Sequence, residues 1–489
     1  MTIKTLRRLA MLAAIPLIGS CGNLLEDANI NKNNPSDIPL TGMLPSAEVA
    51  LVYNNAADFS LRTSVFVQYI SGIGGFAVNE DRYDFATSNF DGSWGKAYTN
   101  VLNNLSRIVK KAESTNAPRY AGVAKILTAL ALGTLTDAFG DIPYEEALNP
   151  DILAPGYESQ EAIYARIQAL LSAAVTDLQQ TGGIAPGKED LVYGGNVAQW
   201  TAAAWTLKAR YALHLSGIDA QKAAQEALQF LYEGNTWRGI RNNDGDLDIV
   251  FGNSNNQASP WFTQNAGRPG WYGMGAYIVN LLNGNPPAVP VDPRRAAFAA
   301  PRPAPAPADT YVGALPGVPS AASNIAGERT YYGRNISPVS ILSYPEAKFI
   351  EAEARLILNE NDPLVKTALE TAVRASFDKV ASSADPFATP EKRDDYISKR
   401  VQLAGSFEQK LETVITQKYI ALFLNPEAWT DYRRTGYPAL SPATGGVTAI
   451  NPTGGIPRRF AYPNSEANLN PKLPVKNSNL QTPKLWWDR

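Results

Sequence analysis

Trp261, Phe262, Trp271 and Tyr272 stand close together in a stretch rich in Gly and Asn, with Tyr277 just beyond. Aromatic faces stack on the flat C–H faces of sugar rings, and neighbouring amides such as Asn253 and Asn265 hydrogen-bond hydroxyls. The pattern suits a glycan platform. It equally suits a loop that anchors itself to a core by its rings. A second set, Asn79, Arg82 and Tyr83, precedes a helix opening near Trp94 and offers the same chemistry.

Other polar clusters invite other chemistry. Asn242, Asp244, Asp246 and Asp248 alternate around Gly245, which resembles the spacing of oxygen ligands in calcium loops. The closing glutamate of an EF-hand is absent, so a solvated turn competes with a structural calcium site. Asp137, Asp141, Glu145 and Glu146 could be read as a paired-carboxylate glycosidase. The competing reading is a helix-ending turn, with Gly140 and Pro143 as stop signals and the acids capping amides or pairing with arginines. Trp429, Tyr432, Arg433 and Arg434 could hold an anion, but also suit packing and ion pairing.

The chain has one cysteine, Cys21, and one histidine, His214. An intrachain disulfide and Cys/His zinc sites are excluded, and a histidine-dependent triad would rest on His214 alone. His214 falls in a helical run and reads as a packing or surface residue. The formal net charge is −2, and about −5 once the leader's Lys4, Arg7 and Arg8 are removed. Such a body lacks the basic footprint of a nucleic-acid binder.

Those three cations open residues 1–20. An apolar run from Leu9 to Gly19 follows, too short to span a bilayer. Small residues then lead into Cys21, the arrangement of a lipoprotein signal whose cysteine receives the lipid. Residues 21–40 read as a lipidated tether and 41–489 as a single body. The protein is expected to be anchored to a membrane without crossing it.

Helical periodicity runs through 44–57, 60–71, 94–114, 118–136, 160–179, 197–215, 219–232, 345–358, 363–380 and 406–424. Short connections make helix pairs, stacked as in tetratricopeptide-type solenoids, though the repeat is degenerate. Residues 233–345 and 425–489 are expected to be loop-rich. The first includes the Pro/Ala stretch 299–307. The fold class expected is mainly all-α.

Several stretches, in order, resemble the SusD/RagB family, particularly its SusD-like second branch. They are Trp94-Gly-Lys-Ala-Tyr98, Tyr120-Ala-Gly-Val-Ala-Lys125 and Thr136 to Ala147. Asp292-Pro-Arg294 and Ser343 to Ala354 follow. The last are Gln417 to Phe423, Glu427 to Arg434 and Pro457 to Pro463. The resemblance runs from Cys21 to about Asn470. The Pro/Ala loop departs from it, and only Glu26 and Asp27 follow Asn23 as an acidic signal. Membership implies a helical scaffold carrying a loop-rich ligand-binding half. It also implies an outer-membrane lipoprotein without a catalytic centre or cofactor. Its partner would be a SusC-like TonB-dependent transporter, to which it delivers oligosaccharide, or peptide in the RagB branch.

Overall fold

The computed structural model describes residues 38–488, apart from 285–287, 304, 308, 326–329 and 381–388. Cys21 and most of the tether lie outside the described residues. Eleven described helices have nine residues or more. They are α1 (Leu40–Tyr53), α2 (Asn103–Ser114), α3 (Pro118–Phe139), α4 (Gln160–Gln179), α5 (Val197–Leu213) and α6 (Ala220–Leu231). After a long insertion come α7 (Tyr344–Leu358), α8 (Pro363–Val380), α9 (Pro390–Arg400), α10 (Phe407–Ala421) and α11 (Glu427–Thr435).

Local chemistry sets these boundaries. Ser159 caps α4, Asn196 caps α5 and Asp219 caps α6, each accepting a bond from a first-turn amide. Ser406 and Gln409 form a capping box on α10. In α4 the buried Ile163, Ile167, Leu171, Ala174 and Leu178 make one stripe. Pro118 opens α3, and Gly140, with φ of +86°, ends it. Helix α3 is long and apolar enough to cross a bilayer, yet is 89% buried over that span. It is the core helix against which its neighbours pack.

Packing runs in sequence order: α2 on α3, α3 on α4, α4 on α5, α5 on α6. The next neighbour of α6 is α7, although 112 residues intervene. The scaffold is thus a stack of helix pairs with a large insertion between two adjacent layers. Among the described residues three two-stranded antiparallel ribbons accompany it: β1 (Ile70–Gly72) with β5 (Tyr272–Met274), β2 (Tyr232–Glu233) with β3 (Thr236–Trp237), and β4 (Leu247–Ile249) with β6 (Val339–Leu342).

Some expectations shift. The helices read as 44–57 and 60–71 form one helical run from Leu40 to Phe66, joined by a π-helical segment at Asn54–Phe59. A second π segment, Ala97–Leu102, interrupts the helix read as 94–114, which begins at Asp91. The region 233–345 is loop-rich but also holds Pro260–Gly267 and Ala276–Asn283 as helices.

Charged side chains meet where α3, α5, α7, α10 and α11 converge. Arg210 binds Glu346 through both of its ends, with Nη2 donating to Oε2 at 2.6 Å. His214 Nε2 lies 2.6 Å from Glu427 Oε1, and its Nδ1 lies 2.9 Å from the Tyr164 hydroxyl. That hydroxyl donates to Asp137 at 2.5 Å. Arg434 bridges Glu353 and Asp431, and Lys418 also binds Asp431 at 2.8 Å. Arg433 lies 3.5 Å from the Trp429 ring centroid and donates to backbone carbonyls. Burial alone would depress His214, but Glu427 and Asp137 outweigh it and raise its pKa to about 9. His214 is therefore an imidazolium held between two carboxylates. The acids at 137–146 likewise cap and pair: Asp141 accepts from Gln160 N, and Glu146 from Gly156 N.

Glu48 of α1 is also fully buried. Burial, then the neighbouring charge of Asp190, pushes its pKa up to about 9. Asp190 is engaged by the amides of Val192, Tyr193 and Gly195 and by the Trp200 indole.

Both Glu48 and His214 keep protons in the folded state that the unfolded chain has released: Glu48 between pH about 4.5 and 9, His214 between about 6.5 and 9. Stability therefore falls as pH rises through these windows. Thermal unfolding followed by circular dichroism should show a Tm decreasing from pH 6.5 to 9. Glu48→Gln should flatten that slope and stabilise the chain by about 1–2 kcal/mol at pH 8. His214→Ala leaves Glu427 buried beside a gap. It should cost about 3–5 kcal/mol in denaturant titrations at pH 7.

Candidate ligand-binding site

Strands β1 and β5 bring the two aromatic sequence sets together. Ile70 faces Met274, Ser71 faces Gly273 and Gly72 faces Tyr272. The Trp271 carbonyl accepts from Ile73 N at 2.7 Å and from Gly74 N at 3.2 Å. The chain then turns at Gly75, with φ of +55°. A Cβ there would lie 2.4 Å from the Trp271 ring, so only glycine lets the indole lie flat on this turn.

Phe76 follows and is 75% exposed. Its ring meets Trp271 edge-on, with centroids 5.9 Å apart and planes at 73°. The Arg268 guanidinium lies 5.4 Å from the Trp271 centroid and receives support from Gln264 Oε1 at 3.4 Å. Asn79 is exposed on the short helix Ala77–Asp81 that continues from Phe76. Phe76, Trp271, Arg268 and Asn79 therefore belong to one small surface: an aromatic shelf with a cation and an amide.

The other candidates lie beneath or beside it. Tyr272 is buried, its hydroxyl donating to Glu80. Tyr83 is fully buried with φ of +58°; its hydroxyl accepts from Ala443 N at 3.2 Å, and its carbonyl accepts from Thr448 at 3.0 Å. Arg82 Nε donates to the Gly317 carbonyl at 3.1 Å. Asp81 accepts from Gly317 N at 2.5 Å, and burial raises its pKa to about 6. Together they tie the shelf's underside to the segments around 317 and 443–448. Trp261 is buried and lines a small internal cavity with Tyr332, Lys379 and Phe423; Phe262, next to it, is half-buried.

Sequence reasoning did not pick out Phe76 or Arg268. The signal for Phe76 was the pair Gly74-Gly75 ahead of an aromatic residue, just past the helix read as 60–71.

The calcium reading of Asp244, Asp246 and Asp248 is corrected by a lysine. Lys379 Nζ sits between Asp246 and Asp248, 2.8 Å from the latter's Oδ2, so an ammonium supplies the charge a metal would bring. Asp246 also caps α7 by accepting from Tyr344 N at 2.6 Å. Asp244 is exposed and takes no part. Among the described residues, no group of three or more His, Cys, Asp or Glu could hold a metal ion. Trp429 and Arg433 are buried in the scaffold and Arg434 is paired within it, so this cluster is framework.

Solved structures share this architecture. A chitin-binding SusD homologue from Flavobacterium johnsoniae aligns with a TM-score of 0.76 at 24% identity, over 92% of this chain and 98% of that one. A SusD/RagB family protein from Bacteroides thetaiotaomicron aligns with a TM-score of 0.74 at 21% identity, over 92% and 99%. A SusD homologue from Bacteroides uniformis aligns with a TM-score of 0.75 at 23% identity, over 93% and 100%. At such identities the likeness establishes the fold. A search of curated protein sequences matches nothing. A family profile described as starch-binding, associating with outer membrane, matches residues 32–463. With that match over most of its length, the chain belongs to the SusD-like family of starch-binding proteins that associate with the outer membrane.

Proposed function

We propose that the chain is a surface lipoprotein that captures an oligosaccharide on the Phe76–Trp271 shelf and delivers it to a SusC-like TonB-dependent transporter. The observation that carries this reading is an exposed phenylalanine set edge-on to a half-buried tryptophan, on a turn built to hold them. A large ring so exposed forfeits burial energy unless a ligand covers it. A sugar's C–H face suits it, while Arg268 and Asn79 reach the hydroxyls.

The reading needs no chemistry on the sugar. The nearby carboxylates of Glu80 and Asp81 are bonded from below, to Tyr272 and to Gly317. Binding would therefore hold the ligand until transfer. Two structural neighbours carry chitin-binding in their descriptions, which makes a β-linked N-acetylglucosamine oligomer the first ligand to try, with maltooligosaccharide alongside. The lipid on Cys21 would keep the shelf at the membrane where the transporter sits.

Calorimetric titration of the mature chain with these oligomers should give measurable affinity for at least one. Phe76→Ala and Trp271→Ala should each weaken it about tenfold or more, consistent with about 1–3 kcal/mol per stacked ring. Phe76→Ala should leave Tm unchanged, because the ring is exposed. Equal affinity in wild type and both variants would remove the shelf as the site. Separately, cells fed radiolabelled palmitate should label the wild-type protein and not Cys21→Ser, which should leave the membrane fraction.

A further inference from the structure

The β2–β3 hairpin shares no residue with the shelf. It leaves the end of α6 and turns back between α5 and α7. On one side a cavity of about 530 Å³ opens against the start of α5 and the turn at 241–245. On the other a cavity of about 340 Å³ opens against Tyr344 and Lys348 at the start of α7. Thr236, Trp237 and Arg241 line both. The two cavities thus form one cleft folded around the hairpin, with Arg241 common to its halves. Each half lies in the size range of small-ligand sites.

The cleft carries more cations than acids: Arg238, Arg241 and Lys348 against Glu233. Two of the three are engaged. Arg238 lies 4.0 Å from the Trp205 centroid and donates to the Tyr232 carbonyl at 2.9 Å. Lys348 pairs with Glu351 at 2.5 Å and lies 4.0 Å from the Trp237 centroid. Arg241 is exposed and makes no hydrogen bond or ion pair with any other described residue. A guanidinium fork left in this state matches a carboxylate in shape and charge.

The walls supply the rest. Trp205, Trp237 and Tyr344 are half-buried; Arg238 and Phe230 flank Trp205 and Lys348 covers one face of Trp237, which leaves Tyr344 and the exposed ring edges for a sugar's C–H surface. Exposed Asn196 and Asn242 add amides for hydroxyls. Glu233 on the hairpin limits the positive surplus, which favours a singly charged carboxylate over a polyphosphate. We propose that this cleft is a second binding site, for an acidic saccharide whose carboxylate docks on Arg241. The site is independent of the shelf and does not rest on the reading of Phe76 and Trp271.

The test is calorimetric titration of the full mature chain with tetragalacturonate and with its fully methyl-esterified form, which keeps the rings and removes the charge. The expected result is saturable binding of the acid, weakened tenfold or more by esterification and by Arg241→Gln, but unchanged by Phe76→Ala. Because Arg241 has no partner to lose, Arg241→Gln should fold with an unchanged Tm. Binding that is absent, indifferent to esterification and Arg241→Gln, or abolished by Phe76→Ala would overturn the proposal.

Discussion

Everything in this structure depends on a buried charge junction between helices that are distant in sequence. Arg210 of α5 meets Glu346 of α7 across 136 positions, and His214 meets Glu427 of α11 across 213. Arg210, His214, Lys418, Arg433 and Arg434 are matched in number by Asp137, Glu346, Glu353, Glu427 and Asp431. Buried charges are costly unless each finds a partner, so the placement tolerated is one that gives every charge a counter-ion or, for Arg433, backbone carbonyls and the Trp429 ring. The junction therefore selects one register for five helices. It also holds α5 and α7 within one framework while more than a hundred residues depart and return between α6 and α7.

That departure is where the aromatic shelf arises. The insertion supplies β5, Trp271 and Arg268, while the amino-terminal run supplies β1, Gly75 and Phe76. Neither segment makes the shelf alone. The ribbon of β1 and β5 joins them, and Tyr272, Arg82, Tyr83 and Asp81 fix the assembly from below. Order in the supports reduces the entropy that a ligand must overcome on binding.

Much of the scaffold was legible in the sequence because helix signals are local. The apolar stripe in α4 marks its helix without reference to anything distant. The π segments at 54–59 and 97–102 were not legible, since they interrupt hydrogen bonding without interrupting the apolar pattern. The shelf was half legible. Ring residues could be named, but which rings face solvent depends on long-range pairing. Tyr83 and Tyr272 turned inward because partners at Ala443 and Glu80 reach them from far along the chain, and Trp261 turned toward a cavity it lines with Tyr332. The alternating aspartates at 244–248 looked like a cation site, and the cation proved to be Lys379, more than 130 residues away.

The most direct test of the central claim is a crystal structure of the mature chain with a bound neutral oligosaccharide. The account predicts intact sugar rings lying against Phe76 and Trp271, with the β1–β5 ribbon and the charge junction unmoved. A sugar bound only elsewhere with the shelf bare, or a cleaved product, would contradict it.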